Sequence, residues 1–455
     1  MDTPTGSAEA RARAIRSAAV RPILAPGRFY WPAVLGLGAL VLLAVAAYGY
    51  QVVSGLWVAG YSDRAFWGVY EADLVAFIGV SYGGALVSAI LRVTNARWRA
   101  PLTRIAETTA LVSLLVGASF AIVHVGRPER LWEIVAFGNL SSPIVWDFYA
   151  VLTYLVATVI FLYLPLIADA AILRTEPGPT SSGLRRHLYR LLALGWTGST
   201  AQRRRLESAI GLIAILIIPL AISVHSVLSY AFSMTTRAGW HSTIFGPYFV
   251  VGAIYSGVAL VIVVVAALRR AYRLELFITP RHLVLLGRLM VALALGYLYF
   301  TFSETLTGAY SGTTEDLSIV TTLLAGPYAP LFWLFVVAGV IVPIALVAVP
   351  GRRALERVVA AAVLAVVGMW LKRLLIVLPS ATSPLVGQDW GSFQFTWVPI
   401  VITLGATAAI PLGLLVLFRF IPILAIDEME HLMGSEAPAA ETPKKEAEAW
   451  LAEPG

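Results

Sequence analysis

The sequence predicts an all-α integral membrane protein with about ten transmembrane helices, and three observations carry that prediction. First, 59% of the 455 residues are hydrophobic and only 13% are charged, and the mean hydropathy is +0.81. A soluble chain of this length needs far more polar surface. Second, apolar runs recur at about 30–53, 69–93, 102–124, 143–172, 206–233, 246–269, 282–308, 327–350, 354–378 and 396–424. Each is long enough to cross ~30 Å of hydrocarbon at ~1.5 Å per residue. The period-two alternation of a membrane barrel is absent. Third, arginines alternate between connections. The second carries Arg92, Arg97 and Arg99, and the fourth Arg174, Arg185, Arg186, Arg190, Arg203, Arg204 and Arg205. The sixth carries Arg269, Arg270, Arg273 and Arg281, and the eighth Arg352, Arg353 and Arg357. The odd connections hold only Arg64, then Arg127 and Arg130, then Arg237, then none. Basic loops stay in the cytoplasm, so both termini are expected there, in a bacterial inner membrane.

In chain order, residues 1–28 form a basic cytoplasmic arm, read either as an interfacial amphipathic helix or as an unstructured tail. No cleavable signal peptide is evident. The transmembrane domain follows over 29–425. Its long fourth connection has room for a short interfacial helix around Leu184 to Leu194. The Glu-, Ala- and Pro-rich stretch 426–455 reads as a cytoplasmic flexible tail or a docking strap. The net charge of +7 lies in short loops, where it sets topology and is no sign of nucleic-acid binding. Cysteine is absent, so this chain has no disulfide, thiolate metal site or Cys-ligated iron–sulfur cluster.

The buried charges gather at one level. His124 closes the third apolar run, Asp147 opens the fourth, and Arg127 and Arg130 lie between them. Glu71 and Asp73 open the second run. His225, Glu304, Lys372 and Arg373 fall in the outer parts of later runs, and His241 in an outer loop. Ionisable groups at membrane depth point to function by default. Plainer roles stand beside that one. Glu71 and Asp73 also suit a helix start facing headgroups, Arg127 and Arg130 suit interface anchors, and Lys372 suits outward snorkelling. Glu304 and Arg373 suit a buried structural pair, and His225 a satisfied hydrogen-bonding group. His124 with Asp147 is the strongest pair, an imidazole and a carboxylate at one depth that can pass a proton.

Titratable groups crowded in one leaflet suit a quinone head group, whose reduced quinol form frees two protons on oxidation. A proton-coupled secondary transporter would place its charges at the midplane between broken helices. A haem b cytochrome subunit would need paired histidines on facing helices, and only His124 and His225 clearly lie in the membrane. Glu107, Tyr163 and Asp169 are the candidates for a proton path from the inner side.

Several segments together resemble a known family. They are GALVSAILRVTNARWRAPLTRIAE, HVGRP, SSPIVWDFYAV, LGW before a basic turn, SVHSVLSYAF, AGWHSTIFGPYFVVGAIYSG, MWLKRLLIVLP and FTWVPIVITLG. In order and spacing they look like the NrfD/PsrC-type quinone-interacting membrane subunits, over roughly residues 20–430. The ten spans and the ending near FIPILAIDEME look most like the larger NrfD-type subunit of alternative complex III. The resemblance implies two four-helix bundles, helices 2–5 (about 69–233) and 6–9 (about 246–378), flanked by helices 1 and 10. It implies a quinol site near the outer face, with menaquinone the expected quinone as substrate and no haem or iron–sulfur cluster in this chain. It implies an extrinsic iron–sulfur subunit, in some complexes of molybdopterin type, together with multihaem cytochrome c and other membrane subunits. Alone, the chain is expected to be non-catalytic, and proton translocation by the complex stays open. His124 and Asp147 match the proton-handling pair of the family, and Glu71, Asp73, Tyr82, Arg127, His225, Glu304 and Arg373 make up the expected quinol-binding set. Two departures from the alternative complex III branch stand out. The connection between HVGRP and SSPIVWD is short, and Tyr82 stands where that branch usually has a histidine. Both leave open a complex with a molybdenum-type catalytic subunit.

Overall fold

A computed structural model describes residues 4–176, 182–311, 313–384 and 389–434. Ten helices in it are long and apolar enough to cross a membrane. We number them as spans 1 to 10: Tyr30–Ser54, Val69–Val93, Arg97–Val123, Pro143–Leu173, Thr200–Ser233, Phe245–Ala271, Pro280–Tyr310, Ala329–Ala348, Ala354–Thr382 and Trp397–Leu417. All ten apolar runs of the sequence became spans, with ends shifted by a few residues. Local chemistry sets several starts. Ser142 and Pro143 open span 4, and the Ser199 hydroxyl caps span 5 by accepting from the Gln202 amide at 3.3 Å. At span 7, Pro280 follows Thr279, whose amide donates to His282 Nδ1 at 3.0 Å.

Span 2 is the axis of the molecule. In its most apolar stretch 83% of residues are buried, against 6% in span 1. Spans 2, 3, 4 and 5 close into one four-helix bundle, and spans 6 to 9 pack into a second. The seam is made by span 2 against spans 6 and 9 and by span 5 against span 6. Spans 1 and 10 pair with each other, span 10 lies on span 3, and span 1 reaches the end of span 3 by the Gln51 Nε2 donation to the Val123 carbonyl at 2.9 Å. At the seam Gly83 of span 2 meets Gly257 of span 6 backbone to backbone. A Cβ on Gly83 would fall 2.2 Å from Gly257 Cα. Small residues of this kind let apolar helices approach closely where side chains would hold them apart. Gly339 and Gly368 make a second such contact, where a π-helical turn, Val337–Ile341, interrupts span 8.

The N-terminal arm and the C-terminal helix lie at one face, here the termini face. The basic arm is helical over Pro4–Leu24, and Ile15, Ala19 and Ile23 are buried. It packs on a C-terminal helix, Ile426–Gly434, through an Arg16–Glu430 ion pair at 2.6 Å. The described part of the arm is thus a helix docked on the protein. The first residues of the expected flexible tail are therefore a docked helix, and 435–455 lie outside the described residues. The fourth connection carries the anticipated short helix, at Gly183–Leu192.

Candidate functional site

At the other face, here the odd-loop face, the odd connections close over the helix ends. Trp67, Phe232 and Trp240 pack ring on ring at 5.1–5.2 Å. Arg237 donates to the Ala381 carbonyl at 2.8 Å, and Trp240 Nε1 to the Ile376 carbonyl at 2.8 Å. These bonds tie the fifth connection to the end of span 9. Beneath this cover lie three groups of polar side chains.

The first group lies within the first bundle. Tyr82 of span 2 packs against Tyr154 of span 4 at 4.6 Å and edge-on to His225 of span 5 at 4.9 Å. Phe249 of span 6 backs the His225 ring at 5.9 Å. Both His225 nitrogens, the Tyr82 hydroxyl and Asp147 Oδ1 are buried with no hydrogen-bond partner, and the Tyr154 hydroxyl lies beside Ser81 and Thr158. Asp147 stands within electrostatic reach of the Tyr82 hydroxyl. An unpartnered buried polar group costs ~1–3 kcal/mol, so several together call for an explanation. A crevice between spans 5 and 6, too narrow for a water, runs past Ile222 and Val250 to Tyr82 and His225. Ile222 at its mouth is 43% exposed, so the crevice starts at the surface that faces lipid.

The second group sits nearer the odd-loop face. Glu71 accepts from the Tyr61 hydroxyl and from the Gly68 amide, each at 2.7 Å, while its other oxygen is buried without a partner. His124, half-buried, has Nδ1 2.7 Å from the Phe120 carbonyl and lies within electrostatic reach of Glu71. No hydrogen bond joins His124 to Asp147. The two members of the expected pair thus fall in different groups, His124 with Glu71 and Asp147 with Tyr82. Arg127 is exposed, and Arg130 forms an exposed pair with Glu133 at 2.7 Å. Asp73 belongs to neither group. It is fully buried and accepts from Trp370 Nε1 at 2.7 Å and from the Thr403 hydroxyl. It ties span 2 to spans 9 and 10, and its headgroup-facing reading is corrected: two positions along a helix from Glu71, it points about 200° away, into the protein.

The third group is in the second bundle. Glu304 Oε2 lies 3.5 Å from Lys372 Nζ. Arg373 stacks on Phe249 at 5.1 Å, and neither terminal nitrogen of its guanidinium has a partner. The Glu304–Arg373 pair and the snorkelling lysine expected from the sequence are both corrected: Lys372 takes the carboxylate and is 3% exposed. Tyr248 bonds Thr301 at 2.8 Å, and Tyr255 donates to the Gly339 carbonyl at 2.7 Å, inside the π-helical turn.

The acids toward the termini face are partnered. Asp169 accepts from Arg104 at 2.6 Å and from the Asp427 amide at 2.9 Å. Glu107 accepts from Ser88 at 2.6 Å. Glu428 of the C-terminal helix pairs with Arg92 and Arg99, each at 3.0 Å, and Asp427 pairs with Arg203 at 2.9 Å. The Tyr163 hydroxyl donates to the Leu192 carbonyl at 3.1 Å, fastening the short helix of the fourth connection. A cavity of about 220 Å³ lies between the C-terminal helix and spans 4 and 5. Sequence reasoning missed Arg104, Tyr154 and Tyr61. Arg104 lies in the first turns of span 3, where an arginine reads as a loop charge, and the tyrosines carry no charge to mark them.

Comparison with known proteins follows from this arrangement. Residues 57–384 match the family described as polysulphide reductase, NrfD. A provisionally named dimethyl sulfoxide reductase membrane subunit of Halobacterium salinarum is 28% identical over 416 residues, 86% of this chain and 91% of the relative. A selenate reductase subunit of Mesobacillus selenatarsenatis is 24% identical over 357 residues, 76% of this chain and 82% of the relative. The Hdr-like menaquinol oxidoreductase integral membrane subunit of Archaeoglobus fulgidus is 24% identical over 416 residues, 86% and 94% of the two chains. The matched stretch runs from the connection before span 2 to the end of span 9 and contains every residue of the three groups: this chain belongs to the NrfD polysulphide reductase family.

Proposed function

We propose that this protein is the quinol-binding membrane subunit of an electron-transfer complex, and that quinol is oxidised within the first bundle. The observation that carries the reading is the convergence of His225 and Tyr82, buried polar groups without partners beside a crevice that starts at the lipid surface, with the orphaned Asp147 Oδ1 within electrostatic reach of Tyr82. A quinol ring supplies two hydroxyls, and these are the partners such groups lack. His225 and Tyr82 hold the ring oxygens. Asp147, in the first turn of span 4, accepts a proton and delivers it to water at the odd-loop face. Glu71 and His124 offer a second exit there. The two electrons pass to an extrinsic iron–sulfur subunit seated on the odd connections, which by the arginine pattern face away from the cytoplasm of a bacterial cell. One relative's name, a menaquinol oxidoreductase subunit, supports menaquinol as the substrate, and two others, subunits of a dimethyl sulfoxide reductase and a selenate reductase, support membership of a redox complex. The backbone contact of Gly83 with Gly257 weighs against a transporter, since rocking one bundle against the other would have to break it.

The test uses the purified complex and a photoreactive menaquinone analogue. Labelling is expected on spans 2, 5 and 6. His225→Leu should weaken analogue binding about tenfold, the loss of ~1.4 kcal/mol from one ring hydrogen bond, with assembly unchanged. Labelling confined to the second bundle, with unaltered binding to the His225→Leu complex, would place the quinol elsewhere.

A further inference from the structure

Span 9 carries two adjacent buried cations, Lys372 and Arg373, 3% and 2% exposed. Among the described residues one carboxylate, Glu304, comes within 4 Å of either, and it stands beside Lys372. The other groups facing this pair are neutral or already engaged. Span 6 presents Tyr248 and Tyr255, span 7 presents Tyr297, span 5 presents His225, and span 8 presents Phe335. On span 2, Asp73 is held by Trp370 and Thr403. The group thus sets two cations against one acid in a medium where an uncompensated charge is costly. Arginine keeps its proton under any condition a protein meets, whereas a buried lysine can give its proton up. Packing leaves little room for an anion beside Arg373. A Cβ on Gly252 would fall 2.6 Å from Tyr297 Cε2 and 3.0 Å from Arg373 Nη2, so the span 6 backbone lies directly on the guanidinium.

We propose that Lys372 and Glu304 form a proton-binding site in the second bundle, distinct from the quinol groups of the first and set by the fixed charge of Arg373. With the proton bound, the lysine ammonium neutralises Glu304, and Arg373 stands alone. With the proton released, Lys372 is a neutral amine, and Glu304 becomes the counter-charge of Arg373. No bond other than N–H is made or broken, and the proton leaves by way of Glu304. That carboxylate is 20% exposed and lies six residues from the end of span 7 at the odd-loop face.

The sequence makes a direct test practicable, because its three lysines are Lys372, Lys444 and Lys445. In the assembled complex with only this subunit ¹⁵N-lysine-labelled, solid-state NMR should show one side-chain nitrogen passing from ammonium to amine as pH is raised to 9. Lys372→Met should remove that signal and leave assembly intact, since Glu304 and Arg373 then balance. Lys372→Arg makes both cations permanent and should cut the yield of assembled complex at least fivefold, and adding Arg373→Leu should restore it. A Lys372 nitrogen that stays ammonium up to pH 9, or a Lys372→Arg complex assembled at the wild-type yield, overturns the proposal. So does failure of the double variant to recover, or recovery of Lys372→Arg by added chloride, which would reveal an anion in place of the exchangeable proton. None of these readouts involves quinone binding, so they stand or fall apart from the quinol reading.

Discussion

The two halves of the transmembrane region partner their buried polar groups to different degrees. Toward the termini, Asp169, Glu107, Asp427 and Glu428 each have a hydrogen-bond or ion-pair partner. Toward the odd connections, both His225 nitrogens, the Tyr82 hydroxyl, one oxygen each of Asp147 and Glu71 and both terminal nitrogens of Arg373 have none, whereas the orphaned atoms toward the termini are mainly the Nε of Arg92, Arg99 and Arg104, whose other nitrogens are paired. Both halves face the same dielectric cost, so the difference separates groups that hold the protein together from groups kept ready for something that arrives. Satisfied pairs fix helix positions, as Arg104–Asp169 fixes span 3 against span 4. Unsatisfied groups raise the energy of the empty protein and recover it on binding.

Substitutions can break or sharpen this contrast. The largest effect is expected at Arg104. Arg104→Leu strands a buried carboxylate at Asp169, a loss of ~3–5 kcal/mol, and should sharply reduce assembled protein as judged by size-exclusion yield. Replacing Arg104 and Asp169 together by leucine should recover much of it. Full assembly of the single variant with abolished turnover would mean that the termini-face pairs are functional too, and the contrast would fail. An intermediate effect is expected at Asp147. Asp147→Asn keeps the shape but cannot carry a proton, so the complex should assemble normally and turn over quinol at least ~10-fold more slowly, at the lower end of acid–base contributions. Wild-type turnover would reduce Asp147 to a helix-start charge. The smallest effect is expected at Arg130, whose pair with Glu133 is open to solvent and screened by it. Arg130→Ala should leave both melting temperature and turnover unchanged, and a clear loss of turnover would place the electron acceptor on this loop.

Depth was legible in the sequence, and direction around each helix was not. Hydropathy and the arginine pattern located all ten spans because they are properties of whole segments. They also group His225, Glu304 and Arg373, which lie in the halves of spans 5, 7 and 9 nearer the odd connections. Which neighbour each side chain meets depends on helix rotation and on non-sequential packing. Glu71 and Asp73 are two positions apart and read alike, yet one faces Tyr61 and the other Trp370 and Thr403. Lys372 and Arg373 are adjacent, and the packing of span 7 alone decides which of them Glu304 meets. Arg104 was hidden for the same reason, because only the fold turns it inward to Asp169 and away from the membrane surface.

The contact of Gly83 with Gly257 has a mechanical consequence. Helices separated by side chains can slide, because rotamers yield and repack. Here the peptide backbones themselves touch, and the junction has no soft part. The two bundles are therefore held to each other along spans 2 and 6, so side chains rather than helices must give where a quinol enters between spans 5 and 6, and a signal from the quinol groups of one to Lys372 and Glu304 of the other has little displacement to ride on. It would cross as a change of electric field, over the short distance from His225 past Phe249 to Arg373.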